Sequence, residues 1–409
     1  MINHACRFCG SALIHEFANL GMSPLSNAYV KPEQLDRGEQ FYPLVVYVCA
    51  ECLLVQLPAH ETPENIFSDY AYFSSYSDSW LAHARAYCEA MIPRLHLDAT
   101  TQVAEIASND GYLLQYFHAA GIPVLGVEPA ANVAHVAREK GIETEVRFFG
   151  VETAKQLAAK GRRAKLLLGN NVLAHVPDLN DFVAGLKLLL DDHGTITMEF
   201  PHILRLIEGN QFDTIYHEHF SYFSLIAVQR VFVAHGLTIC DVDELPTHGG
   251  SLRIYARHSK TAAAAPSVVH LMTIEREFGL DKLETYARFN AQVRETKRAL
   301  LSFLIRAKEE GKTVAGYGAP AKGNTLLNYC GVRTDFIDYT VDRSPHKQGL
   351  FLPGTRIPIY GPDRLRETKP DYVLVLPWNL REEVIEQMND IREWGGRFVV
   401  PIPRVEIVE

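Results

Sequence analysis

The chain has no apolar run approaching the roughly 20 residues that cross a bilayer. Its opening segment, MINHACRFCG, has no apolar core of a secretory signal. Both absences point to a cytoplasmic protein with no membrane partner. A basic stripe is missing too: 40 Lys and Arg stand against 49 Asp and Glu, a formal net charge of -9. Proteins that grip nucleic acid concentrate positive charge on one face, so DNA and RNA are not expected as partners. There is no short-period repeat or low-complexity tract. Strict G-x-G-x-x-G, Walker and H-E-x-x-H patterns are all lacking. Cysteine is scarce at seven residues, an odd number that fits free thiols in a reducing compartment.

Four of those cysteines are not scattered. Cys6 and Cys9, then Cys49 and Cys52, form two C-x-x-C pairs. Two such pairs supply four thiolates, the set that suits tetrahedral Zn²⁺. A closed four-thiolate site has no position open to substrate, so its role is structural. Unrelated buried thiols or a redox C-x-x-C are the competing readings.

With 409 residues, 47% hydrophobic and 22% charged, the chain is long enough for two or three globular domains. Residues 1–80 carry both cysteine pairs and the β-type run FYPLVVYVC, and read as a zinc-binding domain. Residues 81–258 open with an amphipathic helix, SWLAHARAYCEAMIPRL. Short apolar strands (QVAEIAS, PVLGVEP, AKLLLGN, GTITMEF) then alternate with helical segments. Residues 259–300 form a charged helical connector. Residues 301–409 repeat the rhythm with TVAGYGA, FIDYTVD and DYVLVLP as strands. Such alternation implies mostly parallel sheets covered on both faces. The fold class is therefore α/β: a small zinc domain followed by two Rossmann-like domains.

Three loops carry candidate ligand chemistry. The first, Glu105-Ile-Ala107-Ser108-Asn109-Asp110-Gly111, lies where strand turns into helix, and the next strand ends in Glu128-Pro129. An acid there accepts from ribose hydroxyls in nucleoside-binding sheets. Ala107 occupies a position where a dinucleotide loop prefers Gly, so a ligand without phosphate, such as S-adenosylmethionine, fits better than NAD. The second, Asn170-Asn171-Val172-Leu-Ala-His175, follows another strand on the same carboxyl edge. The third, Gly316-Tyr317-Gly318-Ala319-Pro-Ala-Lys322-Gly323-Asn324, offers glycines, a lysine and a helix N-terminus for a diphosphate. Asp342, Arg343, His346 and Lys347 add polar and basic groups on a later strand end.

A dense titratable cluster, Tyr216-His217-Glu218-His219, follows the strand GTITMEF. Histidine transfers protons near neutral pH, and close neighbours tune it. Histidines at i, i+2 lack helix-borne metal spacing, so acid–base catalysis is favoured over a metal site.

These strings resemble the zinc-containing sugar C-methyltransferases that act on nucleotide-linked 4-keto deoxysugars, in particular the tetronitrose C-3 methyltransferase type. The resemblance spans nearly the whole chain: both C-x-x-C pairs, SNDG, NNVLAHVPDL, YHEHFSYFS, HGGSLR, GYGAPAKGNTLLNYCG and VDRSPHKQGLFLPGTR. The family more often carries Gly at position 107 and Tyr at position 351. The resemblance implies S-adenosylmethionine at the Asp110 loop, Glu128 and the Asn171 loop. It implies a nucleotide-diphosphosugar in the C-terminal domain and His219 as general base beside Glu218 and Tyr216. Tyr72 would close over the site. The ketone at C4 acidifies the C3 hydrogen, and either Tyr216 or His175 would stabilise the enolate oxygen. Neither the sugar nor the nucleotide base is legible, and a monomer is the expected state. The alternatives are a nicotinamide oxidoreductase with two Rossmann-like units, and a zinc module that binds macromolecules.

Overall fold

A computed structural model of the chain describes residues 4–67, 74–260 and 262–408, the side chains of residues 66 and 67 excepted. It divides into two compact units built from interleaved segments. Unit 1 comprises Met1–Ile14, Cys49–Ile203 and Phe220–Lys282; unit 2 comprises His15–Val48, Leu204–His219 and Leu283–Glu409. Among the described residues, no helix is long and apolar enough to cross a membrane.

Unit 1 is organised by a seven-stranded sheet. Its strands in chain order are β1 Val103–Ile106, β2 Val124–Val127, β3 Thr144–Glu145, β4 Ala164–Asn170, β5 Leu190–Pro201, β6 Leu237–Leu245 and β7 Ser251–His258. Their spatial order is β3-β2-β1-β4-β5-β7-β6. β1 to β5 pair in parallel, and β7 lies antiparallel between β5 and β6. The parallel strands are nearly continuous apolar runs because helices cover both faces. The order reverses between β1 and β4, which places a ligand crevice at the carboxyl ends of those strands. Thus the SNDG and Asn171 loops sit where an open α/β sheet binds its ligand.

The helix Asp78–Leu95 covers one face. Ser77 caps it by accepting from the Trp80 amide, and Asp78 opposes the helix dipole in the first turn. Ala84, Tyr87, Cys88, Met91 and Leu95 repeat at helical spacing and pack with Val103, Leu114, Phe117 and Tyr255.

Unit 2 contains an antiparallel hairpin, His15–Ser23 with Tyr42–Val48. Phe17 stacks on Phe289 at 4.6 Å, joining the hairpin to the 21-residue helix Phe289–Glu309. A second sheet follows: β8 Val314–Tyr317, β9 Thr340–Val341, β10 Ile359–Tyr360, β11 Tyr372–Val375, β12 Arg397–Val400 and β13 Glu406–Val408. Its order is β10-β9-β8-β11-β12-β13, with only β13 antiparallel. That is the order of a doubly wound nucleotide-binding sheet, reversing between β8 and β11. The two Rossmann-like sheets expected from the strand–helix rhythm are both present.

Candidate active site

The two cysteine pairs meet in unit 1. Cys6 and Cys52 place their sulfurs 3.5 Å apart, as do Cys9 and Cys49. All four sulfurs lie within 4.8 Å of one another. Thiolates on Zn–S bonds of about 2.3 Å in a tetrahedron are separated by about 3.8 Å, so the set fits the ion. The two turns are built alike. Gly10 donates to the Cys6 carbonyl and Leu53 to the Cys49 carbonyl, each at 2.9 Å. Gly10 and Leu53 both take positive φ, +77° and +63°, to close them. Gln56 donates to the Cys6 sulfur at 3.1 Å, so the cluster has an outer partner.

At the carboxyl edge of β1 the chain turns through three left-handed residues: Ala107 at φ 57°, Asn109 at 50° and Gly111 at 75°. An L-residue pays about 1–2 kcal/mol there, so the loop is held by its surroundings. Glu128 does part of this, accepting from the amides of Asn109 (2.9 Å) and Ala130 (2.8 Å). Burial pushes the Glu128 carboxyl up, and the two amide bonds oppose that shift. Pro129, half-buried, turns the chain beside it. Gly126 allows the close approach, since a Cβ there would lie 2.4 Å from the Ser108 hydroxyl. Ser108 Oγ, Asp110 Oδ1, Asn170 Nδ2 and Asn171 Oδ1 are buried polar atoms without hydrogen-bond partners among the described residues. They cluster at the β1 and β4 ends, and a nucleoside bearing an amino-acid tail can satisfy them. The crevice therefore fits S-adenosylmethionine. Val172 is buried against Gly169 of β4, and desolvation draws the His175 imidazole down to about 4, which keeps it neutral.

A group absent from the sequence reading borders this crevice. Glu199, fully buried near the end of β5, accepts from Arg253 (2.7 Å) and Thr247 (3.0 Å) and contacts His83 at 2.9 Å. Burial alone pushes the Glu199 carboxyl up; His83 and Arg253 outweigh it, and the net position is below the usual range. Trp80 stacks on His83 and on Tyr112. His248, at φ 55°, sits 3.0 Å from the Asn171 side-chain amide. Strand pairing explains the arrangement: Arg253 is the cross-strand partner of Glu199. Nothing in linear spacing signals a pair 54 residues apart.

The titratable cluster belongs to unit 2. His217, Glu218 and His219 are buried and Tyr216 is half-buried. His219 Nδ1 lies 2.9 Å from the Thr214 carbonyl. A carbonyl only accepts, so Nδ1 carries a proton, and in the neutral imidazole the lone pair is on Nε2. The Tyr216 ring lies 4.1 Å from the His219 ring, tilted by 33°. Burial pushes the Glu218 carboxyl up to about 7, opposed by a 2.6 Å hydrogen bond from Asn27. His217 points elsewhere, toward the Pro43 carbonyl at 3.3 Å. Tyr72 lies outside the described residues.

The C-terminal loops split into two groups. Ala319 donates to Asp342 at 2.8 Å, and Lys347 and Tyr29 both donate to the Ala319 carbonyl, at 2.9 and 2.5 Å. Arg343 and His346 are exposed on the loop after β9. By contrast, Lys322 donates to Asn379 (2.8 Å) and lies over the Trp378 ring. Asn324 is buried and donates to the Ser26 carbonyl, and Tyr317 contacts Gln387. Asn27 and Tyr29, from the N-terminal third of the chain, were not singled out by sequence reasoning.

A thiolate metal cluster and a nucleoside crevice on a reversed parallel sheet define a zinc-binding methyltransferase that uses S-adenosylmethionine. Family models match three consecutive blocks of the chain. They are described as "Putative zinc binding domain" (residues 6–67), "Methyltransferase domain" (80–242) and "C-methyltransferase C-terminal domain" (246–403). The chain is 38% identical over 405 residues to C-methyltransferase NovU of Streptomyces niveus, covering 98% of this chain and 96% of that protein. It belongs to this family of zinc-containing, S-adenosylmethionine-dependent C-methyltransferases. Solved structures of S-adenosylmethionine-dependent methyltransferases share a looser likeness. The one from Anabaena variabilis ATCC 29413 has TM-score 0.36 and 14% identity, over 50% of this chain and 99% of that one. The one from Clostridium acetobutylicum ATCC 824 has TM-score 0.35 and 10% identity, over 42% and 89%. Family membership removes support from the nicotinamide oxidoreductase alternative.

Proposed function

We propose that the chain methylates C3 of a nucleotide-diphospho-4-keto-6-deoxysugar through an enolate, in the cytoplasmic synthesis of branched deoxysugars. In this reading residues 1–80 carry structural zinc, 81–258 bind the methyl donor, 259–300 connect, and 301–409 bind the nucleotide-sugar. The observation that carries it is His219, its Nδ1 tied to the Thr214 carbonyl so that Nε2 is the ring nitrogen left for proton transfer, beside Tyr216 and Glu218 and in the same unit as the Ala319–Lys347 loops.

Bound S-adenosylmethionine supplies an electrophilic methyl group. The difficult step is making a carbon nucleophile. His219 Nε2 takes the C3 proton, and the C–H electron pair moves into the C3–C4 bond as the ketone oxygen becomes an enolate. The enolate then collapses back to the C4 ketone as C3 takes the methyl group, and the broken S–CH₃ bond leaves its electron pair on sulfur in S-adenosylhomocysteine. A positioned base contributes about 10²–10⁴-fold. A donor aimed at the enolate oxygen adds about 2.7–4 kcal/mol. Tyr216, next to His219, is better supported for that role than His175. Ala107, Ser108, Asn109, Asp110, Glu128, Pro129, Asn171 and Val172 form the donor site. Lys347, with exposed Arg343 and His346, receives the diphosphate, and Asp342 holds the Ala319 amide at the edge of that substrate loop. Lys322, Asn324 and Tyr317 brace that loop from inside.

Mass spectrometry of reactions with S-adenosylmethionine and a panel of nucleotide 4-keto-6-deoxysugars, run in deuterated water, tests this. A product one methyl heavier, with deuterium at C3 of recovered substrate, is expected. No methylated product from any panel member would refute the acceptor class.

A further inference from the structure

The base loop is fastened to the C-terminal sheet by a residue that none of the expected motifs contains. The turn Phe212–Thr214 is wholly buried, and Asp213 sits at its centre with no solvent exposure. Trp378, from the segment after β11, donates its Nε1–H to Asp213 Oδ2 at 2.7 Å. The ring of Trp378 also carries the Lys322 ammonium, 4.6 Å from its centroid. Lys322 draws the buried Asp213 carboxyl down against the upward push of burial, and the carboxyl in turn helps to raise the Cys330 thiol. A buried carboxyl with one ring N–H donor and an ammonium nearby is not a surface accident, because burying it unpaired costs several kcal/mol.

What Asp213 holds is adjacent in the chain. Thr214 follows it, and the Thr214 carbonyl accepts the His219 Nδ1 proton. The next carbonyl, of Ile215, accepts from Thr325 at 2.9 Å on the helix Ala321–Cys330, and Phe212 packs edge-on against Tyr329 of the same helix. The turn is thereby pinned on both sides. We propose that Asp213, clamped by Trp378 and faced by Lys322, is a positioning residue that sets the orientation and tautomer of His219 through the Thr214 carbonyl. The proposal rests on His219 being the base. It also gives Lys322 a role in holding the turn rather than in contacting the diphosphate.

The test uses three full-length variants with ¹⁵N-histidine labelling. Asp213→Ala removes the acceptor, Trp378→Phe removes only the donor, and Asp213→Asn keeps an acceptor for Trp378. A misplacement of about 1 Å costs on the order of 10²-fold in rate. Asp213→Ala and Trp378→Phe should therefore lower kcat by about 10–10²-fold with the KM for S-adenosylmethionine unchanged. Both should lose the Nδ1–H signature of His219, while Asp213→Asn keeps it and recovers most of the rate. Should Asp213→Ala fail to fold, Trp378→Phe carries the test. Wild-type kcat together with an unchanged His219 signal in the folded variants would overturn the proposal. The imidazole signal needs no acceptor sugar, so failure of the assigned reaction and failure of the positioning claim are separately visible.

Discussion

Replacing Glu199 by Gln probes the polar group that borders the donor crevice. The carboxylate has no solvent exposure and its Arg253 partner only 8%. It takes hydrogen bonds from Arg253 and Thr247 and lies within bonding distance of His83, tying β5, β7, the turn after β6 and the helix Asp78–Leu95 together. Gln keeps one acceptor and turns an N–H toward the remaining donors. Breaking a buried ion pair by removing one partner costs about 3–5 kcal/mol. In a cooperative unit of 150–250 residues, each kcal/mol moves Tm by about 2–4 °C. A loss near 3 kcal/mol therefore lowers Tm by about 6–12 °C. The sign with pH also follows. The folded Glu199 carboxyl lies below its usual range, so its contribution is present above the unfolded carboxylate value and is lost as pH falls through the folded one. The gap between wild type and variant should be widest near neutrality and close in acid. Differential scanning fluorimetry across pH, with calorimetry of S-adenosylmethionine binding, reads both. A variant that melts with wild type at pH 7, or a gap that widens in acid, refutes the reasoning.

Chelation of zinc should unfold the knuckle cooperatively, because metal-binding energy is folding energy in such sites. Metal analysis should return about one zinc per chain and less after Cys9→Ser; stability indifferent to chelator would contradict the thiolate cluster. Ala107→Gly relieves an L-residue at φ 57° and should stabilise by up to about 1 kcal/mol in denaturant titrations; a loss would show that the methyl group packs usefully. Burial raises the Glu218 carboxyl to about 7 in the folded protein. A raised folded value makes stability fall as pH climbs from the unfolded carboxylate value to about 7. Glu218→Gln should flatten that slope, by an amount on the order of 3 kcal/mol over the interval; an unchanged slope assigns the pH dependence elsewhere.

Local pattern carried much of this account. The zinc ligands were readable because C-x-x-C spacing is itself the geometry of a knuckle, and Cys6, Cys9, Cys49 and Cys52 do converge. Strand–helix alternation disclosed two sheets because buried parallel strands need apolar runs. The loops around Asp110, Asn171 and Ala319 were expected at carboxyl strand ends from the strand–helix rhythm, and the two sheets put them there. The antiparallel β6–β7 pair escaped notice, and with it Glu199, Arg253 and His83, whose meeting depends on pairing register. Asn27, Tyr29 and Asp213 were equally invisible. They reach their partners through the interleaving of residues 15–48 and 204–219 into unit 2, which no periodicity encodes. Lys322 was read as a phosphate contact from its place after a glycine loop; what that reading could not show is that Asn379 and Trp378, more than 50 residues on, lie against its ammonium.

The central claim is that His219 is the base that opens the reaction. Its most direct test is the rate of deuterium entry at C3 of a nucleotide 4-keto-6-deoxysugar catalysed by His219→Asn. Asn places no basic nitrogen at the Nε2 position, so exchange and methyl transfer should both fall by about 10²–10⁴-fold, with S-adenosylmethionine affinity retained. Exchange and transfer at the wild-type rate would remove His219 as the base.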